Sequence, residues 1–272
     1  MKKFFLTFLS LTLLLTCSCG KKEVYPDFTV DFIDVGKADC MVLRTENSTV
    51  VIDCGEKGDG KKILELLAEN EIESVDYLII THYDKDHVGG SAKLINNIEV
   101  KNVLAPDYPE DSSEVEKYNK ALAGKNITPV LMHEDINFSL DGVDYTVYAP
   151  QKDFYGDDDD NDFSLVTKAV YHDTTFLFTG DAMEQRLEEI MDIGNCTLLK
   201  VPYHARELDN LETFISRVRP KYAVSCTEES EFSSDTKEIL NKYRIKSYAT
   251  CYDGNITAVS DGNDIQFTTH NQ

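Results

Sequence analysis

Four side chains that are able to bind metal ions lie within six consecutive positions: His82, Asp84, Asp86 and His87. They follow a short apolar run over residues 75–80, which is typical of a strand buried on both faces. His82 and Asp84, two positions apart, can face one ion, while Asp86 and the adjacent His87 face a second. The alternative is a polar loop with two unrelated histidines. It is disfavoured because the whole chain has six histidines and two of them stand here beside two carboxylates.

Two later apolar segments also end in a residue that can bind a metal ion. The run Leu-Phe-Thr-Gly-Asp ends in Asp181, and Leu-Lys-Val-Pro-Tyr-His ends in His204. Open α/β layers place their chemistry in loops at the carboxyl ends of buried strands. The sequence therefore predicts three strand ends that contribute carboxylates and imidazoles to one site.

The elements that must position these residues alternate in two mixed halves, each with strands first and helices later. This pattern predicts two sheets packed face to face with helices outside, a four-layer αββα sandwich in one α/β (α+β) domain over residues 28–272. We expect strands over residues 28–35, 40–44, 49–53, 75–80, 102–105, 129–132, 136–140, 145–148, 164–171, 175–179, 197–201, 222–226, 246–250, 255–260 and 264–268. We expect helices over residues 61–70, 91–97, 112–124, 183–193, 210–218 and 236–243, with Ser112 as a cap and Gly124 as a stop.

The first nineteen residues have the pattern of an export signal. Two lysines precede an apolar stretch that is too short to span a bilayer, and Leu-Thr-Cys-Ser-Cys-Gly follows. This resembles a bacterial lipobox, with Cys19 as the preferred lipidation site and Cys17 as the second choice. Residues 20–27 would then be a tether, and the protein would be exported and lipid-anchored at the outer face of a bacterial membrane. A plain secreted protein is the alternative.

Charge and cysteine usage argue against a general nucleic-acid binder and against a zinc–thiolate site. The net charge of −22 lacks the basic footprint of a general nucleic-acid binder, so an anionic substrate would need metal ions or a local patch to offset the repulsion. The cysteines that follow Cys19 stand singly, without a CxxC pair, which disfavours a zinc–thiolate site. The sequence does not decide the oligomeric state.

The order of these motifs resembles that of the metallo-β-lactamase superfamily, in which an HxHxDH loop, a bridging Asp and a late His form a two-metal hydrolase site. More narrowly, the chain is similar to the hydrolase (nuclease) domain of ComEC-type DNA-uptake competence proteins. The matching segments are Asp34-Val35-Gly36-Lys37-Ala38-Asp39, Val51-Ile52-Asp53-Cys54-Gly55, Thr81-His82 through Gly90, Asn161 through Val166, Phe178-Thr179-Gly180-Asp181 and Lys200-Val201-Pro202-Tyr203-His204.

This resemblance implies a ligand set for one or two divalent ions. It places His82, Asp84 and Asp181 on one metal and Asp86, His87, Asp181 and His204 on the other, with Asp181 bridging. Carboxylate oxygen at Asp84 favours Mn²⁺ more than an all-imidazole set does, and mixed nitrogen and oxygen donors also suit Zn²⁺. The third histidine of common superfamily members has no counterpart, and the candidates near its position are Asn161 and Asp162.

Further residues are expected around the ligands. Asp34, Asp39 and Asp53 would orient the ligands through hydrogen bonds, although Asp34 and Asp39 could equally cap turns at strand ends. Tyr203 replaces the first histidine of the family's KVPHHGS segment, and Arg206 replaces its serine. Tyr203 could bind the substrate by a hydrogen bond and Arg206 could clamp a phosphate, or both could serve packing and solvation.

The resemblance implies metal-assisted hydrolysis with a metal-bridged hydroxide as the nucleophile. Asp86 would orient the attacking water, Asp181 would hold both ions, and the bond would be a phosphodiester in nucleic acid or another phosphoester. One alternative is hydrolysis of a lactone, a β-lactam or another ester or amide on the same metals. Another is a non-catalytic surface lipoprotein that binds metal or substrate.

Overall fold

The structure is a computed structural model that describes residues 27–156 and 160–271. Its strands are β1 (Phe28–Phe32), β2 (Met41–Arg44), β3 (Thr49–Ile52), β4 (Ser74–Ile79), β5 (Glu99–Pro106), β6 (Val130–Met132), β7 (Ile136–Leu140), β8 (Val143–Tyr148), β9 (Val166–Tyr171), β10 (Thr174–Phe178), β11 (Leu198–Lys200), β12 (Tyr222–Ser225), β13 (Lys246–Ala249), β14 (Asn255–Ser260) and β15 (Ile265–His270). Its helices are α1 (Gly60–Glu69), α2 (Lys85–Val88), α3 (Ser91–Asn97), α4 (Ser113–Lys125), α5 (Glu184–Glu189), α6 (Leu211–Val218), α7 (Ser234–Lys242) and α8 (Thr250–Asp253).

The strands form two mixed sheets. The first has the order β15-β14-β1-β2-β3-β4-β5-β6, and the second has the order β13-β12-β11-β10-β9-β8-β7. Pairing is parallel from β3 to β6 and from β10 to β13, and antiparallel between the other neighbours. Because parallel strands end at the same edge, the loops after β3, β4, β10 and β11 are free to meet at one end of the sandwich.

Side chains that alternate along the strands separate the layers. On β3, Val50 and Ile52 join the core between the sheets, whereas Val51 joins the core beneath the helices. On β10, Phe176 and Phe178 point inward and Leu177 points outward. This period of two puts one apolar face of each sheet against the other sheet and the opposite face against helices.

Helices cover both outer faces. Helices α1, α3 and α4 pack on the first sheet, for example through Ile63, Leu94 and Tyr118. Helices α5, α6 and α7 pack on the second sheet, with Phe214 fully buried. The predicted four-layer αββα sandwich is therefore confirmed.

Two predicted helix ends were wrong. Ser112 does cap α4, since its hydroxyl accepts a hydrogen bond from the Val115 amide at 3.4 Å, but Gly124 does not end the helix. The helix continues to Lys125, and Asn126 ends it in the left-handed conformation with φ +57°, which asparagine tolerates well. The helix expected over residues 183–193 forms only at Glu184–Glu189.

Several predictions concern segments outside the described residues. These are the export signal over residues 1–19, its lipobox cysteine Cys19, and the tether up to residue 26. They stay predictions. Within residues 27–156 and 160–271, none of the helices has the length and apolar character that crossing a membrane requires.

Candidate metal centre

The loop after β4 folds back against the end of β3. The Cys54 amide donates to the His87 carbonyl at 2.8 Å, and the Gly90 amide donates to the Gly55 carbonyl at 3.1 Å. A Cβ at Gly90 would lie 2.1 Å from the Cys54 carbonyl oxygen, so only glycine permits this approach. Asp86 and His87 lie on the short helix α2, and both are buried.

Asp181 follows β10 and faces this loop. Gly180 has φ +52°, and a Cβ there would lie 2.9 Å from Thr81 Cβ, so the two strand ends touch. The Asp181 amide donates to Ser164 Oγ at 3.1 Å, which fixes the backbone of the turn.

His204 follows β11, the neighbour of β10 in the second sheet, and lies close to Asp181 and to the loop after β4 of the first sheet. Its Nε2 lies 2.9 Å from Asp181 Oδ2, 3.4 Å from Asp86 Oδ2 and 3.3 Å from His87 Nε2. His87 Nε2 lies 3.5 Å from Asp181 Oδ1. Four side chains from three separate strand ends thus enclose one buried volume.

His82 and Asp84 complete the group on its other side. Ligand atoms of His82, His87 and Asp181 all lie within 4.8 Å of one another. Asp84 Oδ2 lies 3.7 Å from His82 Nε2, and the Asp84 side chain is 47% exposed while His82 is fully buried. Asp84 therefore marks the mouth of the site. The structure brings together all six side chains that the sequence predicted as ligands.

The donor atoms fit divalent cations. His82 Nε2 and Asp181 Oδ1 are buried and have no hydrogen-bond partner among the described residues. A buried polar atom without a partner costs about 1–3 kcal/mol, and two such atoms among histidines and carboxylates are accounted for by a bound cation. Imidazole nitrogen and carboxylate oxygen together suit zinc or manganese.

The carboxylates and imidazoles perturb one another strongly. Burial alone would raise the pKa of Asp181, but the neighbouring His204 and His87 outweigh it and hold that pKa well below its usual range. Burial likewise opposes charge on His204, yet the Asp181 and Asp86 carboxylates raise its pKa to about 9. The site thus has a strong affinity for positive charge, which a proton or a metal cation can satisfy.

Asp53 orients one histidine. It is fully buried at the end of β3, and its Oδ2 lies 2.8 Å from His87 Nδ1. The Thr81 amide and hydroxyl donate to its two oxygens at 2.8 and 2.6 Å. A carboxylate on the far nitrogen of an imidazole fixes the tautomer that leaves Nε2 free to bind a metal.

Asp39 has a partner that the sequence analysis missed. Lys200 Nζ forms an ion pair with Asp39 Oδ2, donates to the Gly180 carbonyl at 2.9 Å and lies 3.6 Å from Asp181 Oδ1. Lys200 and Asp39 are both fully buried. Burial alone would lower the pKa of Lys200, but the charges of Asp39 and Asp181 outweigh it and raise that pKa. The ion pair therefore lies next to Asp181, one of the predicted ligands.

The backbone around His204 is strained. Tyr203, His204 and Ala205 have φ of +48°, +49° and +61°, a left-handed run without any glycine. Each such residue costs of the order of 1–3 kcal/mol and persists where the surroundings impose it. Here His204 Nδ1 lies 3.0 Å from the Cys226 carbonyl oxygen, which fixes the ring and turns Nε2 toward Asp181.

The remaining predicted residues lie around the site with separate roles. Asp34 accepts the Gly36 amide at 3.2 Å, which is the turn-capping alternative. Asp162 Oδ1 accepts the amides of Met183 and Arg186 at 2.7 and 3.2 Å and so caps α5. Asn161 Oδ1, by contrast, is buried without a hydrogen-bond partner among the described residues.

Arg206 and Tyr203 interact with each other. The guanidinium lies 5.3 Å from the Tyr203 ring centroid, and Nη1 lies 3.3 Å from the Tyr203 hydroxyl. Glu231 also accepts from Arg206 Nε at 2.6 Å and from Nη2. An anionic substrate would have to compete with Glu231 for this guanidinium.

Known proteins are similar to this chain in sequence. The chain is 26% identical over 216 residues to ComE operon protein 3 of Bacillus subtilis, a match that covers 72% of this chain and 28% of that protein. It is 24% identical over 208 residues to recombination protein 2 of Haemophilus influenzae, covering 73% and 24%. The chain thus spans about a quarter of the length of these curated relatives.

A solved structure and a family model agree on the fold. The metallo-beta-lactamase fold protein YhfI of Bacillus subtilis superposes with a TM-score of 0.59 at 11% identity, covering 83% of this chain and 96% of that one. The model of the metallo-beta-lactamase superfamily matches residues 33–227, a segment that contains every proposed ligand from His82 to His204. With the αββα sandwich and the buried histidine–aspartate cluster, this match shows that the chain belongs to the metallo-beta-lactamase superfamily.

Proposed function

We propose that this metal-dependent hydrolase cleaves phosphodiester bonds. The observation that carries the proposal is the convergence of His82, Asp86, His87, Asp181 and His204 into one buried cluster with Asp84 at its mouth. When bound there, divalent cations would lower the pKa of a coordinated water and stabilise negative charge on the attacked oxygen.

Asp181, Asp86 and Asp84 would have separate roles in this reaction. Asp181 presents its two oxygens to His87 and His204 and is held from below by Lys200. Asp86 has a side chain only 6% exposed, with Oδ2 toward His204, so it would orient an attacking water. Asp84, at the mouth, would be the ligand that substrate meets first.

Similarity to recombination protein 2 of Haemophilus influenzae and to competence protein ComA of Neisseria gonorrhoeae supports a phosphodiester as the substrate. The three carboxylates among the six donors give further support, because carboxylates favour the hard cations that also bind phosphoryl oxygens. The net charge of −22 favours small or cell-envelope phosphoesters over long nucleic acid, since a long polyanion is repelled along its whole length.

The test uses purified residues 20–272, reconstituted separately with Mn²⁺ and Zn²⁺. Metal content is measured first, and turnover is then measured with bis(p-nitrophenyl) phosphate, a chromogenic lactone and a chromogenic β-lactam. We expect phosphodiester turnover that Asp181→Asn abolishes while circular dichroism stays unchanged. Turnover of the lactone or the β-lactam alone would reassign the substrate, and metal binding without any turnover would support a non-catalytic binding protein.

We also propose that the protein is exported and lipid-anchored through Cys19. The lipobox-like Leu-Thr-Cys-Ser-Cys-Gly and the apolar run before it support this location. Metabolic labelling with a fatty acid analogue in a bacterial host should mark the full chain, and Cys19→Ser should remove the label. Retention of the label in Cys19→Ser and its loss in Cys17→Ser would move the anchor to Cys17.

A further inference from the structure

Lys37 lies in the loop between β1 and β2, which is fixed against the metal-binding loop. The Ile33 amide donates to the Cys40 carbonyl at 3.0 Å and closes the base of this loop. The Asp39 amide donates to the Asp86 carbonyl at 3.1 Å, and the Gly55 amide donates to the Asp39 carbonyl at 2.8 Å. The backbone that carries Lys37 is thus tied to the backbone that carries Asp86.

The Lys37 ammonium lies at the edge of the ligand cluster. Its Nζ is 3.2 Å from Asp86 Oδ2, the same oxygen that lies 3.4 Å from His204 Nε2. The side chain of Lys37 is 31% exposed, whereas that of Asp86 is 6% exposed. One positive charge therefore reaches both solvent and the innermost ligands.

Other cations near the site are engaged elsewhere. Lys200 is fully buried and cannot touch a substrate. Arg206 is paired with Glu231. Lys85 points outward at 72% exposure and lies 3.5 Å from Glu56. Lys37 differs from all three because it is reachable from solvent and its carboxylate partner is itself a proposed metal ligand.

We propose that Lys37 is a substrate-binding residue that recognises an anionic oxygen of the substrate, of the phosphoryl type. This inference rests on the proposed function, since it assigns the group that receives the substrate's charge. Asp86 bound to a cation would share its negative charge with that cation, and the Lys37 ammonium would then lack a full counter-charge. An anionic oxygen placed beside Asp86 supplies it, and an ammonium binds such an oxygen by a charge-assisted hydrogen bond.

A substrate-binding role for Lys37 would also reduce the repulsion between the negatively charged protein and an anionic substrate. A surface with a net charge of −22 repels phosphoesters, and a local cation at the entrance offsets part of that repulsion. Lysine suits the position because its compact ammonium on a flexible stem can follow the substrate and return to Asp86.

The experiment measures binding of inorganic phosphate to the metal-loaded protein by calorimetry. The variants are Lys37→Met, Lys37→Arg and the matched control Lys85→Met, which removes a nearby positive charge outside the site. We expect Lys37→Met to raise the Kd for phosphate by roughly tenfold or more. The Kd of Lys37→Arg for phosphate should remain within about threefold of the wild-type value, because arginine keeps the positive charge. The Kd of Lys85→Met for phosphate should remain within about twofold of the wild-type value, since an exposed charge is screened by salt.

Three results would overturn the inference. The first is unchanged phosphate affinity in Lys37→Met. The second is an equal loss in Lys37→Met and Lys85→Met, which would mean that only the net charge matters. The third is loss of bound metal in Lys37→Met, which would mean that Lys37 acts through Asp86. Turnover of bis(p-nitrophenyl) phosphate by the wild type tests the proposed function separately. A failure of the proposed function can therefore be distinguished from a failure of the role assigned to Lys37.

Discussion

Replacing Lys200 by methionine would leave the buried Asp39 carboxylate without its cation. Lys200 extends from β11 into the space between the sheets, where Asp39 is also fully buried. Methionine matches the length and apolar stem of lysine, so the change removes the charge and little volume. The perturbation therefore isolates the ion pair from the packing around it.

The expected loss of stability is large because Asp39 would remain buried without a positively charged partner. Burial already raises the pKa of Asp39, and Lys200 is the largest influence that opposes this shift. Breaking one partner out of a fully buried ion pair typically costs about 3–5 kcal/mol. The Gly180 carbonyl, which accepts from Nζ at 2.9 Å, would also lose its donor. We expect a loss of about 3–5 kcal/mol in the free energy of unfolding.

The assay is urea unfolding of the metal-free protein in excess chelator, followed by circular dichroism. Lys200→Met, Asp39→Asn and the double variant form a double-mutant cycle. Because the double variant leaves no buried charge at this pair, it should be more stable than Lys200→Met alone. Destabilisation below about 1 kcal/mol, or a double variant as unstable as the sum of the two single variants, would refute the reasoning that Lys200 and Asp39 stabilise each other.

Three further predictions concern the metal centre. The pKa of His204 is raised from an ordinary value of 6.5 to about 9, so its ion pair stabilises the metal-free protein fully below pH 6.5 and is lost as pH rises through 9. Urea unfolding in chelator should show a loss of roughly 3 kcal/mol between those values, and a flat profile would contradict the assignment. Asn161→Ala should weaken metal binding measured by calorimetry, whereas Asp162→Ala should leave it unchanged and cost about 1 kcal/mol of stability as a lost helix cap; the reverse pattern would exchange their roles. Adding Zn²⁺ or Mn²⁺ at 100 times its Kd to chelator-treated protein should stabilise it by about 2.7 kcal/mol, and an unchanged unfolding midpoint would argue against a folded-state metal site.

The sequence determined the layers and the identity of the clustered residues. Segments such as β3 and β10 contain continuous apolar runs, as expected of strands buried on both faces, and their side chains alternate between the two faces because of local backbone geometry alone. The four side chains from His82 to His87 are close in sequence and must share one loop. Asp181 and His204 each end an apolar run, and parallel strands end at one edge of a sheet. These features are local, so they were predictable.

Contacts between distant segments were decided only by the tertiary structure. Asn161 and Asp162 are neighbours, yet one has its oxygen buried without a hydrogen-bond partner among the described residues and the other caps α5. The orientation of each side chain depends on where α5 packs, and no local spacing encodes that. In the same way, only the tertiary structure shows that Glu231 is paired with Arg206, so that a phosphate would have to compete with this carboxylate for the guanidinium.

Lys200 illustrates both what the sequence determines and what only the tertiary structure decides. The alternation on β11 puts Leu198 inward and Leu199 outward, and so it puts Lys200 inward as well. The sequence thus contains the direction of this side chain. Its partner does not follow from the sequence, because Asp39 lies 161 positions away in the other sheet's loop. Only the packing of the two sheets brings that carboxylate to the ammonium and lets a charge remain buried beneath the metal centre.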